Sequence, residues 1–81
     1  MELRRSAFKH GVTPEAIAHA IAHYRFRDDD MFGTEPPKIL ILGPDPAGNI
    51  LEIIAITDAH GVLIVFHAMA CRTAYLQLLN P

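Results

Sequence analysis

Three residues near the C-terminus have types and spacing suited to chemistry on an anion. His67 ends an apolar run, Arg72 follows it closely, and Tyr75 stands at i+3 from Arg72. An imidazole moves protons near neutral pH. A guanidinium fork holds phosphate or carboxylate oxygens two at a time. On a helix, i and i+3 share a face, so Arg72 and Tyr75 could reach one site. A helix starting after His67 would also turn free N–H groups and the positive end of its dipole toward a phosphate. The plainer alternative is that His67 closes a strand at the surface, Arg72 is solvated and Tyr75 belongs to the core.

Other charged groups offer less specific chemistry. Lys9-His10 stands before Gly11 and could line a polyanion surface, or could complement the negative end of a short helix. Lys38 opens an apolar run; it could touch phosphate or simply keep a strand edge soluble. Arg25 and Arg27 alternate with Tyr24 and Phe26 but are balanced at once by Asp28-Asp29-Asp30. His19 and His23 have the i, i+4 spacing of zinc-binding helices. Ala20 stands where a metalloprotease has its glutamate and no third ligand is evident, so the expectation is two exposed histidines and no metal site. Cys71 falls on an apolar stripe and reads as a small buried hydrophobe. No cofactor is implied.

These residues need elements to position them. Residues 2–10 can form a short helix stopped by Gly11. Thr13-Pro14-Glu15 reads as a second helix start, with a cap, a proline at the first helical position and an acid near the dipole's positive end. Ile17, Ala20, Ile21 and Tyr24 share one face of that helix. Residues 24–27 alternate like a short strand. Apolar runs at 38–42, 50–57 and 62–67 predict three strands, separated by turn-forming segments at 43–48 and 58–61. An antiparallel meander is the economical topology. Residues 70–79 read as a closing helix, with Cys71, Ala74, Tyr75 and Leu78 on one stripe. The expected fold is therefore α+β: an antiparallel sheet of three to four strands, preceded by two short helices and followed by a C-terminal one, in a single domain spanning 1–81.

The strands do not alternate apolar with polar, as a sheet with one wet face would. In the third strand Val62, Ile64 and Phe66 are expected to oppose Leu63, Val65 and His67. Both faces thus look covered. Either a partner chain, a second copy or another protein, completes the burial, or the chain's own helices divide between the two faces.

Composition sets outer bounds. Of the 81 residues 51% are hydrophobic, enough for a core and too many for a disordered chain. The net charge of −2 argues against strong nonspecific nucleic-acid binding. A single cysteine rules out a disulfide framework or a cysteine-based metal cluster. There is no membrane-length apolar run and no visible signal peptide, so a cytoplasmic protein is expected.

Lys9-His10-Gly11-Val12-Thr13, followed by Pro14-Glu15-Ala16, resembles a signature near the start of BrnT-like toxins of the RelE/ParE-like toxin–antitoxin superfamily. The turn at 43–49, the strand after it, and Val65–Met69 leading into a segment with Arg72 and Tyr75 are similar to members of that family as well. The chain has no Trp, where the family often opens on Phe-x-Trp-Asp, and its last segment keeps only Arg72 where the family's is arginine-rich. The resemblance implies a RelE-like fold and a type II toxin, a small endoribonuclease neutralised by a cognate antitoxin. His67, Arg72 and Tyr75 would be its catalytic residues, and Lys9, His10 and Lys38 its RNA contacts. The alternative is a non-catalytic interaction module on the same fold, a degenerate toxin or a homo-oligomer.

Overall fold

The computed structural model describes residues 1–80. Strand β1 (Glu2–Leu3) leads into a 3-10 turn (Arg5–Phe8) and helix α1 (Pro14–Ala22). Strands β2 (Phe26–Asp28), β3 (Ile39–Pro44), β4 (Ile50–Thr57) and β5 (Leu63–Ala70) follow. Helix α2 (Thr73–Leu76) and a second 3-10 turn (Gln77–Leu79) close the chain. The strands form one sheet in the order β1-β5-β4-β3-β2. Strands β2 to β5 are an antiparallel meander, and β1 joins β5 in parallel. The fold class is α+β, with a five-stranded mixed sheet in place of three or four antiparallel strands.

Local chemistry explains most of these elements. The Ala16 amide donates to Thr13 Oγ1 at 3.1 Å, and Pro14 occupies the first position of α1, as a capped helix start requires. The two hairpins share one device. Asp45 Oδ1 accepts from the amides of Ala47 and Asn49, and Asp58 Oδ1 accepts from those of His60 and Val62. Gly48 and Gly61 supply the positive φ each turn needs.

Three expected elements differ. Residues 2–10 are not a helix: Glu2 and Leu3 pair with Ile64 and Val65, and only Arg5–Phe8 turn. Tyr24 lies beyond the end of α1 and is exposed, so it is not part of the buried helix face. The closing helix is shorter than residues 70–79, because β5 runs on through Ala70.

Both faces of the sheet are covered by the chain itself. Ile17 and Ala20 of α1 pack on Ile39, Ile41, Ile53 and Val65. On the other face, Tyr75, Leu78 and Leu79 pack on Leu40, Leu42 and Ile54. The doubly apolar strands are thus accounted for by helices divided between the faces, and burial alone does not require a partner. No helix among the described residues is long and apolar enough to cross a membrane.

A register shift decides what faces what. Ile54 pairs with His67, yet Ala55 pairs with Val65, so Phe66 is an extra residue in β5. Such a bulge breaks the period of two. Val65 and Ala68 both enter the α1-side core, whereas Phe66 packs with the opposite cluster. The expectation that Val65 and His67 share a face therefore fails: His67 is turned to the side of Glu52.

Candidate functional site

Glu52 stands in the middle of β4, between Leu42 of β3 and Met69 of β5, and its side chain has 0% exposure. A carboxylate so placed is costly unless its oxygens are bonded. Four donor atoms meet it. The Arg72 amide and Nε donate to Oε1 at 2.9 and 3.0 Å. Arg72 Nη2 donates to Oε2 at 2.7 Å, and His67 Nε2 lies 2.9 Å from the same oxygen. Arg72 thus grips the carboxylate side-on, with its backbone as a further donor. No buried side-chain polar atom among the described residues lacks a partner.

The electrostatics follow from this clamp. Burial pushes the Glu52 pKa upward, but the hydrogen bonds from Arg72 and His67 outweigh it and hold the carboxyl below its ordinary value. The hydrogen bond and charge of Glu52 in turn raise Arg72. Burial, with the nearby Glu52 charge, pushes the Cys71 thiol up, which makes it a poor nucleophile.

A carboxylate only accepts, so His67 Nε2 must carry the hydrogen it shares with Glu52. In the neutral ring, Nδ1 then holds the lone pair. The His10 ring stands edge-on to His67, with centroids 5.7 Å apart. The N-terminal segment brings it there. Arg4 N donates to Val65 O at 2.8 Å and Ser6 Oγ to Phe66 O at 2.7 Å, which pins the segment along β5. On the far side, the Arg72 guanidinium carbon lies 5.4 Å from the Tyr75 ring centroid, a cation–π contact.

Four of the sequence candidates, His10, His67, Arg72 and Tyr75, therefore meet in one row around Glu52. Lys9 sits exposed at the end of the first 3-10 turn, next to His10 in the chain. Lys38 does not join them. It precedes β3 and accepts the Met31 amide through its carbonyl, whereas Leu42, at the other end of that strand, is the residue paired with Glu52. The role expected of Arg72 also changes. Its amide, Nε and Nη2 are engaged by Glu52, leaving Nη1 of a side chain 56% exposed to meet an outside anion.

Glu52 is the residue that sequence reasoning missed. Its signal was a lone charge inside the apolar run Ile50-Leu51-Glu52-Ile53-Ile54, and such a charge needs partners once the strand is central. Among the described residues, no group of three or more His, Cys, Asp or Glu side chains is arranged to hold a metal ion. No protein-family model, no curated protein and no solved structure matches this chain.

Proposed function

We propose that this chain is the toxin of a type II toxin–antitoxin pair, a small endoribonuclease acting in the cytoplasm and neutralised by a cognate antitoxin. The family part of this reading rests on the motif resemblance to BrnT-like toxins. The observation that carries the chemical part is the row Glu52–His67–His10, in which a buried carboxylate orients one imidazole and a second stands against it. In the reaction, His67 Nδ1 takes the proton of a ribose 2′-hydroxyl. The 2′-oxygen bonds to the adjacent phosphorus as the bond from phosphorus to the 5′-oxygen breaks. His10, as imidazolium, protonates that leaving oxygen. Arg72 Nη1, steadied by Glu52 and Tyr75, faces the charge on the phosphoryl oxygens, and Lys9, next to His10 in the chain, adds positive charge on the His10 side. The products are a 2′,3′-cyclic phosphate and a 5′-hydroxyl.

The test is cleavage of a single-stranded RNA by the purified chain, with the cyclic phosphate as readout. His67→Ala and His10→Ala each lower the rate about 100-fold or more and relieve growth arrest in bacteria expressing the chain. A folded wild-type chain that neither cleaves RNA nor arrests growth overturns the enzyme reading. It would leave the second reading, a non-catalytic interaction module. That reading is favoured by Arg72, whose best donors already serve Glu52, and by the net charge of −2.

A further inference from the structure

At the C-terminal end of α1, away from the Glu52 cluster, the structure carries a second pair of histidines. His19 lies in the last turn of the helix and His23 is its C-cap, with the His23 amide bonded to the His19 carbonyl at 3.0 Å. Their rings lie 4.4 Å apart between centroids, tilted by 39°. We propose that His19 and His23 form a binding site for a divalent late first-row transition metal, Cu2+ most tightly, with water completing the coordination.

Three independent features carry this. The first is the orientation of His19. Its Nδ1 lies 2.8 Å from the Pro44 carbonyl, which can only accept, so Nδ1 bears the hydrogen and Nε2 bears the lone pair. A backbone carbonyl on the far nitrogen is the usual support of a metal-ligating histidine. That support is rigid, because α1 rests on β3 at Gly43, beside Pro44, where a Cβ would come within 2.1 Å of the Ala20 carbonyl oxygen. The second is the ring separation. With metal–nitrogen bonds of about 2.0–2.1 Å, two imidazoles bound cis at roughly a right angle have centroids about 4.5 Å apart. That angle is the one preferred by Cu2+ and Ni2+. The third is the field: the negative end of the α1 dipole points at the pair and favours a cation there. The other histidine pair is less suited, since His67 Nε2 already serves Glu52 and the His10 ring is set at 75° to it.

The experiment is calorimetric titration of the untagged chain with Cu2+ and, separately, Ni2+ near neutral pH, with thermal unfolding in parallel. The expected result is one metal per chain, Cu2+ tighter than Ni2+, and a rise in Tm with metal concentration. His23→Ala, at an exposed position, folds and weakens binding tenfold or more. His19→Gln does the same, and His10→Ala leaves binding unchanged. Affinity falls as the solution is made acidic, because protons compete with the metal for the ring nitrogens. Binding that survives His23→Ala, binding lost in His10→Ala, or no saturable binding by the folded wild type overturns the proposal. Each outcome is independent of whether the chain cleaves RNA.

Discussion

Helix α1 meets its face of the sheet through aliphatic side chains and a single glycine, whereas α2 meets the opposite face around a charged network. On the α1 side, Ile17 and Ala20 are fully buried against Ile39, Ile41, Ile53 and Val65. Gly43 lets the helix backbone approach so closely that no side chain fits between them. On the α2 side the buried aliphatic set is smaller, Leu40, Leu42 and Ile54, and Glu52 is embedded beside it. A dry, close-packed face gains stability from every buried methylene. A face with a clamped carboxylate gives up part of that gain and obtains two oriented polar side chains, His67 and Arg72, at its rim. Most of the folding energy thus falls to one face and the candidate chemistry to the other.

The sharpest way to break that division uses neighbours on β4 that point to opposite faces. Ile53→Ala opens a cavity under α1 and is expected to cost about 4 kcal/mol, and Ile54→Ala about 2 kcal/mol because its site is shallower. Urea unfolding of both variants checks the order. Equal losses would mean that the two faces contribute alike. Between these two in size is Gly43→Ala. The added methyl group meets the Ala20 backbone rather than a side chain that can swing aside, so α1 must lift from β3, at about 3 kcal/mol. Amide exchange in α1 should speed up with it.

The two faces were also unequally legible in the sequence. The start of α1 could be read from Thr13 and Pro14 alone, because capping is decided within the first turn. Apolar runs at 38–42, 50–57 and 62–67 between turn signals located three strands, although β3 runs on to Pro44 and β5 to Ala70. Features that depend on pairing at a distance did not show. Glu2 and Leu3 are too short a stretch to have a periodicity, and they become a strand only because β5 offers them an edge. The extra residue at Phe66 exists only relative to β4, so a strict alternation put His67 on the wrong face. His67, Arg72 and Tyr75 stood out as one set and His10 apart from them, but Glu52, which joins His67 to Arg72, drew no notice among isoleucines. A buried charge is recognised by its partners, and these lie 15 and 20 residues away in the chain.

Smaller than the core effects is the loss from Glu52→Gln, which keeps the shape of the side chain and removes its charge. The donors on Arg72 and His67 then face a neutral amide in place of a carboxylate. Hydrogen bonds to a charged group contribute about 1.5–3 kcal/mol. Arg72 is more than half exposed and the pair is screened by solvent, so the expected cost at neutral pH is near the low end, about 1.5 kcal/mol. The same change should free the His67 ring to reorient, visible as a shift in its NMR tautomer signals. A variant as stable as the wild type, with an unmoved His67, would show that the clamp positions nothing.

The smallest effect is a dependence of that difference on pH, and its sign is fixed by the direction in which Glu52 is shifted. The folded chain holds the Glu52 carboxyl below the ordinary 4.5 because Arg72 and His67 bond its ionised form more strongly than burial opposes it. The unfolded chain, with an ordinary carboxyl, takes up its proton at higher pH. The stabilisation is therefore whole above the unfolded value and is lost as pH falls through the folded one. The amide of the Glu52→Gln variant has no proton to take up, so the advantage of the wild type over it should shrink as pH falls below about 5. One proton limits the slope to about 1.4 kcal/mol per pH unit. Parallel urea titrations of the two proteins across this range isolate the Glu52 contribution, since their other carboxylates are the same. An advantage that grows as pH falls below about 5 would mean that burial, rather than the Arg72 and His67 clamp, governs this carboxylate. The α2 face would then hold a strained charge instead of an oriented pair.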